Sequence, residues 1–187
     1  MERTGVQKLA HVLKILVTIT FVCNLIALLL VPGLVGIAVN GSLSALEDTG
    51  MPLPLLFLAV CWQYLPRIWL EGSYAVVLTL FLLLCGVCTA IILWQGRKVL
   101  DTILRGTPFC TENSRNLQRA AVCCFGIALF ALIRVLWGIW FLRSPVPLAS
   151  YCALFVPLFF LGGLLCLVMS ALFRQAAEMK AENDLTI

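Results

Sequence analysis

Four apolar segments, each long enough to cross a lipid bilayer, constrain this chain more than any other feature. They run from about Ile15 to Ile37, Ser73 to Trp94, Ala120 to Leu142 and Leu148 to Phe173. Each is about 22–26 residues long, or roughly 33–39 Å as α-helix at about 1.5 Å per residue. The hydrocarbon core of a bilayer is about 30 Å thick, so each segment spans it with some tilt. A helix on the surface of a soluble protein keeps a polar face, and these segments do not. Composition agrees: of 187 residues, 62% are hydrophobic and 12% charged, against roughly 45–50% and about 25% in soluble domains. The apolar excess must face lipid. The expected fold class is all-α: a polytopic membrane protein, a single four-transmembrane-helix bundle over residues 1–187.

Lys and Arg predict the orientation. Arg3, Lys8 and Lys14 precede the first span; Arg97, Lys98, Arg105, Arg115 and Arg119 lie between the second and third; Arg174 and Lys180 follow the fourth. The other two connections carry Arg67 and Arg143. The positive-inside rule makes the first group cytoplasmic, so both termini are expected inside. The first apolar run exceeds the about 7–15 residues of a signal peptide, and no small-x-small cleavage site follows. It reads as an uncleaved anchor. The net charge of +4, from 13 Lys and Arg against 9 Asp and Glu, then reflects topology and contact with anionic headgroups. Direct nucleic-acid binding is not expected, because no basic, aromatic-interleaved face is present.

The connections differ in character. The outer loop, residues 38–72, carries a short apolar stretch from Leu53 to Trp62, bounded by Pro52, Pro54 and Pro66. Too short to span, it is expected to lie on the outer interface beside Trp62, Tyr64, Trp69 and Tyr74, or to form a lid. Arg143 to Pro147 is a tight turn that makes the third and fourth spans antiparallel neighbours. In the inner loop, residues 95–119, the second helix is expected to continue to Arg105 and break at Gly106-Thr107-Pro108-Phe109. Thr111 is the expected N-cap of the next helix, with Glu112 in its first turn. A cytoplasmic tail covers residues 174–187.

Those inner residues, Gly106-Thr107-Pro108-Phe109 followed by Glu112-Asn113 and Arg115, occur together with a terminal Glu182-Asn183-Asp184-Leu185-Thr186-Ile187. In this the chain resembles a bacterial family of small four-helix membrane proteins of unknown function. That family shows a Gly-x-Pro-Phe-x-x-Glu-Asn signature between helices two and three and an Asn-Asp-Leu-Thr-Ile-like end. Its genes often sit beside one for a small helix-turn-helix regulator of the Cro/repressor type. The resemblance implies a place in the bacterial inner membrane and a cytoplasmic regulator as signalling partner.

Several residues invite chemistry. Arg134 falls near the middle of the third span, where an ionised side chain costs about 2.5–3.5 kcal/mol on insertion scales and often marks function. Trp137, one turn outward, can offer its ring face, and Glu71 is the nearest counter-ion if Arg134 snorkels outward. Two readings stand: a site for an anionic ligand or headgroup, and an ion pair that fixes helix register. Cys85-Gly-Val-Cys88 has the spacing of a redox pair, but it falls past the middle of an inward-running span, and Cys61 is the one outer-loop cysteine. Cysteine also packs well as a small soft apolar residue. Adjacent Cys123 and Cys124 face different sides of a helix, which argues against joint metal ligation. His11, the single histidine, cannot build a metal site alone. No catalytic set is visible, so neither an enzyme, a cofactor nor a metal is expected.

Three functions follow in order of weight. The first is non-enzymatic signalling. An inner collar, comprising Gly106, Pro108, Phe109, Glu112, Asn113, Arg115 and the tail residues Glu182 to Ile187, would hold or release a cytoplasmic protein as two helix packings exchange. The second is a small transporter or channel, a homo-oligomer, lined by Thr18, Thr20, Asn24, Thr79, Thr89 and Arg134. The third is a membrane thiol oxidoreductase using Cys85 and Cys88.

Overall fold

The computed structural model describes residues 5–40, 72–107 and 109–184, with isolated positions between 52 and 63. Four long α-helices account for nearly all of it: α1 Gly5–Asn40, α2 Ser73–Leu104, α3 Thr111–Leu142 and α4 Tyr151–Asp184. All four are long and apolar enough to cross a membrane. Each has 32 to 36 residues, or roughly 48–54 Å of helix, well beyond the about 30 Å of a hydrocarbon core. The helices thus outrun the predicted spans. α1 begins ten residues before Ile15, α2 ends ten residues after Trp94, and α4 runs eleven past Phe173. Charged residues end an apolar run without ending a helix, because Lys, Arg and Glu are good helix formers.

Side-chain exposure shows what surrounds the helices. Leu29 is 77% exposed, Leu165 67% and Tyr151 84%. Leaving such side chains in water forfeits about 1.5–3 kcal/mol each; acyl chains remove that cost. Pro32 lies inside α1 and Pro157 inside α4. Membrane helices tolerate such breaks in the hydrogen-bond ladder when neighbours re-satisfy the backbone.

The contacts divide the chain into two units. One holds residues 24–87, the second half of α1 and the first part of α2. Its core is Val31, Val35 and Ala75, with Val76, Leu78, Leu82 and Leu83 packed around it. Gly86 lets Leu28 approach so closely that a β-carbon there would stand 2.6 Å from the leucine side chain.

The other unit holds residues 1–23 and 88–187. α3 is its centre, with one face buried from Asn113 to Gly138. Alanines at 120, 121, 128 and 131 line that face, and small residues let membrane helices approach closely. Opposite, Gly163 of α4 leaves space for the Phe125 ring, which meets Phe160 edge-on at 5.6 Å between centroids. The connection between α3 and α4 is tight, as the sequence predicts, but it holds more structure than a bare turn. Arg143 ends α3 in the left-handed region at φ 47°. A 3₁₀ turn, Val146–Ala149, follows, and α4 starts at Tyr151 rather than Leu148. The proline carbonyls close this turn, accepting from the Leu148 amide at 2.9 Å (Pro145) and the Ser150 amide at 3.2 Å (Pro147).

Candidate functional site

The second unit closes at one end through a layer of polar contacts, built from the inner loop outward. α2 terminates in a Schellman motif. The Thr107 amide donates to the Thr102 carbonyl at 3.0 Å and the Gly106 amide to Ile103 at 3.1 Å. This pattern requires a left-handed residue at the penultimate position, and Gly106 supplies it at φ +78°. The chain then turns back into α3. The N-cap is Cys110, in extended conformation and with no side-chain cap bond, so Thr111 is the first helical residue and not the cap. Glu112 sits exposed in the first turn, where its charge suits the helix dipole.

Three contacts on neighbouring residues tie four helices together at this level. Lys14 of α1 pairs with Asp101 of α2 at 2.5 Å. One residue on, the Thr102 hydroxyl accepts a 2.6 Å bond from the Asn113 amide of α3 and donates to the Val99 carbonyl. One residue beyond Asn113, the Ser114 and Ser170 hydroxyls meet at 3.0 Å, joining α3 to α4. Ser170 also donates to the Ser114 carbonyl at 2.8 Å, which leaves Ser114 as the donor between the hydroxyls. Asn113 is fully buried at 0% exposure, and Ser114 and Ser170 are buried too. Buried hydroxyls and amides with satisfied bonds specify one register between helices, since a slip leaves them without partners. Around this clasp, Phe109 of the turn packs on Phe173 of α4 at 6.0 Å.

Aromatic and cationic groups mark the depth of the clasp. The Arg97 guanidinium stands over the Trp94 ring at 5.5 Å and the Phe21 ring at 5.9 Å. Such a group belongs to the membrane interface. Asp101 lies four residues further along α2, roughly 6 Å at helical rise, past the end of the apolar run that closes at Trp94. The beginning of α1 and the later part of α4 stand at this same end. Beyond it, Arg174 donates to Glu178 at 2.9 Å on the exposed face of α4; that bond raises the guanidinium pKa.

Of the predicted collar, Gly106, Phe109, Glu112, Asn113 and Arg115 fall at or beside the clasp. Arg115 is exposed, and Glu182 and Asn183 are exposed near the end of α4, which closes at Asp184. Pro108, Leu185, Thr186 and Ile187 lie outside the described residues, as do Glu71 and most of the outer loop. Arg134 is half-buried on α3, and Trp137 stacks on Phe141 at 4.9 Å. Sequence reasoning missed Lys14, Asp101, Thr102, Ser114 and Ser170 as partners. One signal was available: Asp101 and Glu112 are the only acids between residues 95 and 119, and an isolated acid among cations invites a salt bridge.

The cysteines sort differently from the Cys85–Cys88 pairing. Cys88 shares a thiol hydrogen bond with Cys123 of α3, and Cys124 shares one with Cys166 of α4. Cys123 and Cys124 do face different helices. These cysteines are free thiols, and no group able to hold a metal occurs among the described residues. The hydroxyls of Thr18, Thr20 and Thr79, candidates for a lined path, donate to carbonyls one turn back on their own helices. Bonded in this way, they fit hydroxyls embedded in an apolar helix.

Fold and site define an all-helical polytopic membrane protein with a polar clasp at one end of its bundle. Residues 70–187 match the family described as protein of unknown function (DUF2975), and the chain belongs to that family. Its four apolar helices fit a four-helix membrane family. No curated protein and no solved structure matches the chain.

Proposed function

We propose that this is a non-enzymatic signalling protein of the bacterial inner membrane, with both termini cytoplasmic, whose clasp reports helix packing to a cytoplasmic protein. The observation that carries the reading is the chain of contacts Lys14–Asp101, Thr102–Asn113 and Ser114–Ser170, one link between each pair of successive helices. Any rearrangement of the spans must alter this layer, and it stands where water-soluble proteins reach. A change in packing is thereby converted into a change in the surface formed by the Gly106–Arg115 turn and the tail. The basic residues at this end favour the cytoplasmic side. The family resemblance suggests the partner, a small helix-turn-helix transcription regulator.

Co-purification in mild detergent tests the proposal. The full chain should retain the regulator, and a chain lacking residues 174–187 should lose it. Asn113→Leu, which breaks the α2–α3 link, should change the amount retained while the protein stays in the membrane. If the full chain retains no such regulator, or if both variants bind it as the full chain does, the signalling reading falls.

A further inference from the structure

Gln95 occupies the middle of the α2 face that packs on α3. Seven residues before it, Cys88 bonds to Cys123; seven residues after it, Thr102 bonds to Asn113. A heptad returns a helix to the same side within about 20°, so 88, 95 and 102 form one stripe. The position facing Gln95 then lies midway between Asn113 and Cys123, at the level of Asn116 and Ala120. Both are buried there, Asn116 at 2% exposure, and Gln95 is 7% exposed. The Gln95 Oε1 atom and the Asn116 Nδ2 atom have no hydrogen-bond partner among the described protein atoms. One accepts and the other donates. Buried amide groups are almost always satisfied, by protein or by ordered water.

We propose that the α2–α3 interface holds an internal water site shared by Gln95 and Asn116. The chemistry of the lining selects the occupant. Gln95, Val99 and Thr102 from α2 and Asn113, Asn116 and Ala120 from α3 are all uncharged, so an ion finds no counter-charge. A neutral molecule that both donates and accepts satisfies the two amides, and water is the smallest. The water makes this part of the α2–α3 seam exchangeable rather than dry, within about two turns of the clasp.

Water-edited solid-state NMR of the full chain in lipid bilayers, with labelled Asn and Gln side chains, tests this. The Gln95 and Asn116 amide signals should gain magnetisation from water far faster than the backbone amide of buried Ala131, and at a rate approaching that of exposed Gln118. Asn116→Leu and Gln95→Leu identify the two signals by their loss. As a second reading, Asn116→Leu should slow the transfer at Gln95. Transfer at neither amide, or at one alone, overturns a shared water site, and so does transfer at Gln95 that Asn116→Leu leaves unchanged.

Discussion

Gly106 and Ser170 act through different physics, and substitutions separate them. No atom lies within 4 Å of a β-carbon placed at Gly106, so Gly106→Ala meets no clash. Its cost is the left-handed backbone itself, about 1–2 kcal/mol for an L-residue. Gly106→Asn should cost less, since Asn tolerates this region. Ser170→Ala instead deprives the buried Ser114 hydroxyl of its acceptor, at about 1–3 kcal/mol. Adding Ser114→Ala should restore part of that loss, because both buried hydroxyls are then gone. Thermal unfolding in detergent reads all four variants; equal costs for Ser170→Ala and the double variant would contradict the bonding described. Gly106, Phe109, Glu112 and Asn113 were legible in the sequence because turn chemistry is local. Thr102, Ser114 and Ser170 were not, because a hydroxyl in a helix acquires meaning only from the register of the helix opposite.

The four helices were legible from length and apolarity, and so were the ends of α2 and α3, but the reach of α1 back to Gly5 and the start of α4 at Tyr151 were not. Gln95 to Leu104 is helix with charges on it, which an apolar pattern cannot distinguish from a loop except by the Gly106 break. Packing between helices was hidden too, and two adjacent glycines show why. At Gly163 an added β-carbon would stand 2.9 Å from the Phe125 ring, whereas at Gly162 nothing lies within 4 Å. Gly163→Ala should therefore push the ring off Phe160 and destabilise by about 1–3 kcal/mol, the range for overpacking. Gly162→Ala should be neutral or stabilising, because alanine is the better helix former by about 1 kcal/mol. Unfolding of the two variants side by side decides it, and a reversed order would place the α3–α4 contact elsewhere. The sequence, Gly-Gly, offers no way to tell them apart.

At the scale of the whole molecule, α4 is long and apolar enough to place its two ends in different compartments. It is 34 residues long, and its later part carries Ser170 in the clasp while its start follows the Arg143–Ser150 connection. The clasp end carries Lys14, Arg97, Lys98, Arg105, Arg115, Arg119 and Arg174; the connection between α3 and α4 carries Arg143 alone. That imbalance predicts the clasp on the cytoplasmic side. A fluorescent protein that matures only in the cytoplasm should therefore glow when fused after Ile187. Alkaline phosphatase, active only outside, should be active when inserted at Ser144 and inactive after Ile187. Adding lysines at Ser144 and Ser150 should weaken this bias, because topology follows the difference in positive charge between the two sides. Phosphatase activity at both positions would mean that α4 does not cross. Activity after Ile187 alone would invert the molecule and carry the clasp away from any cytoplasmic partner.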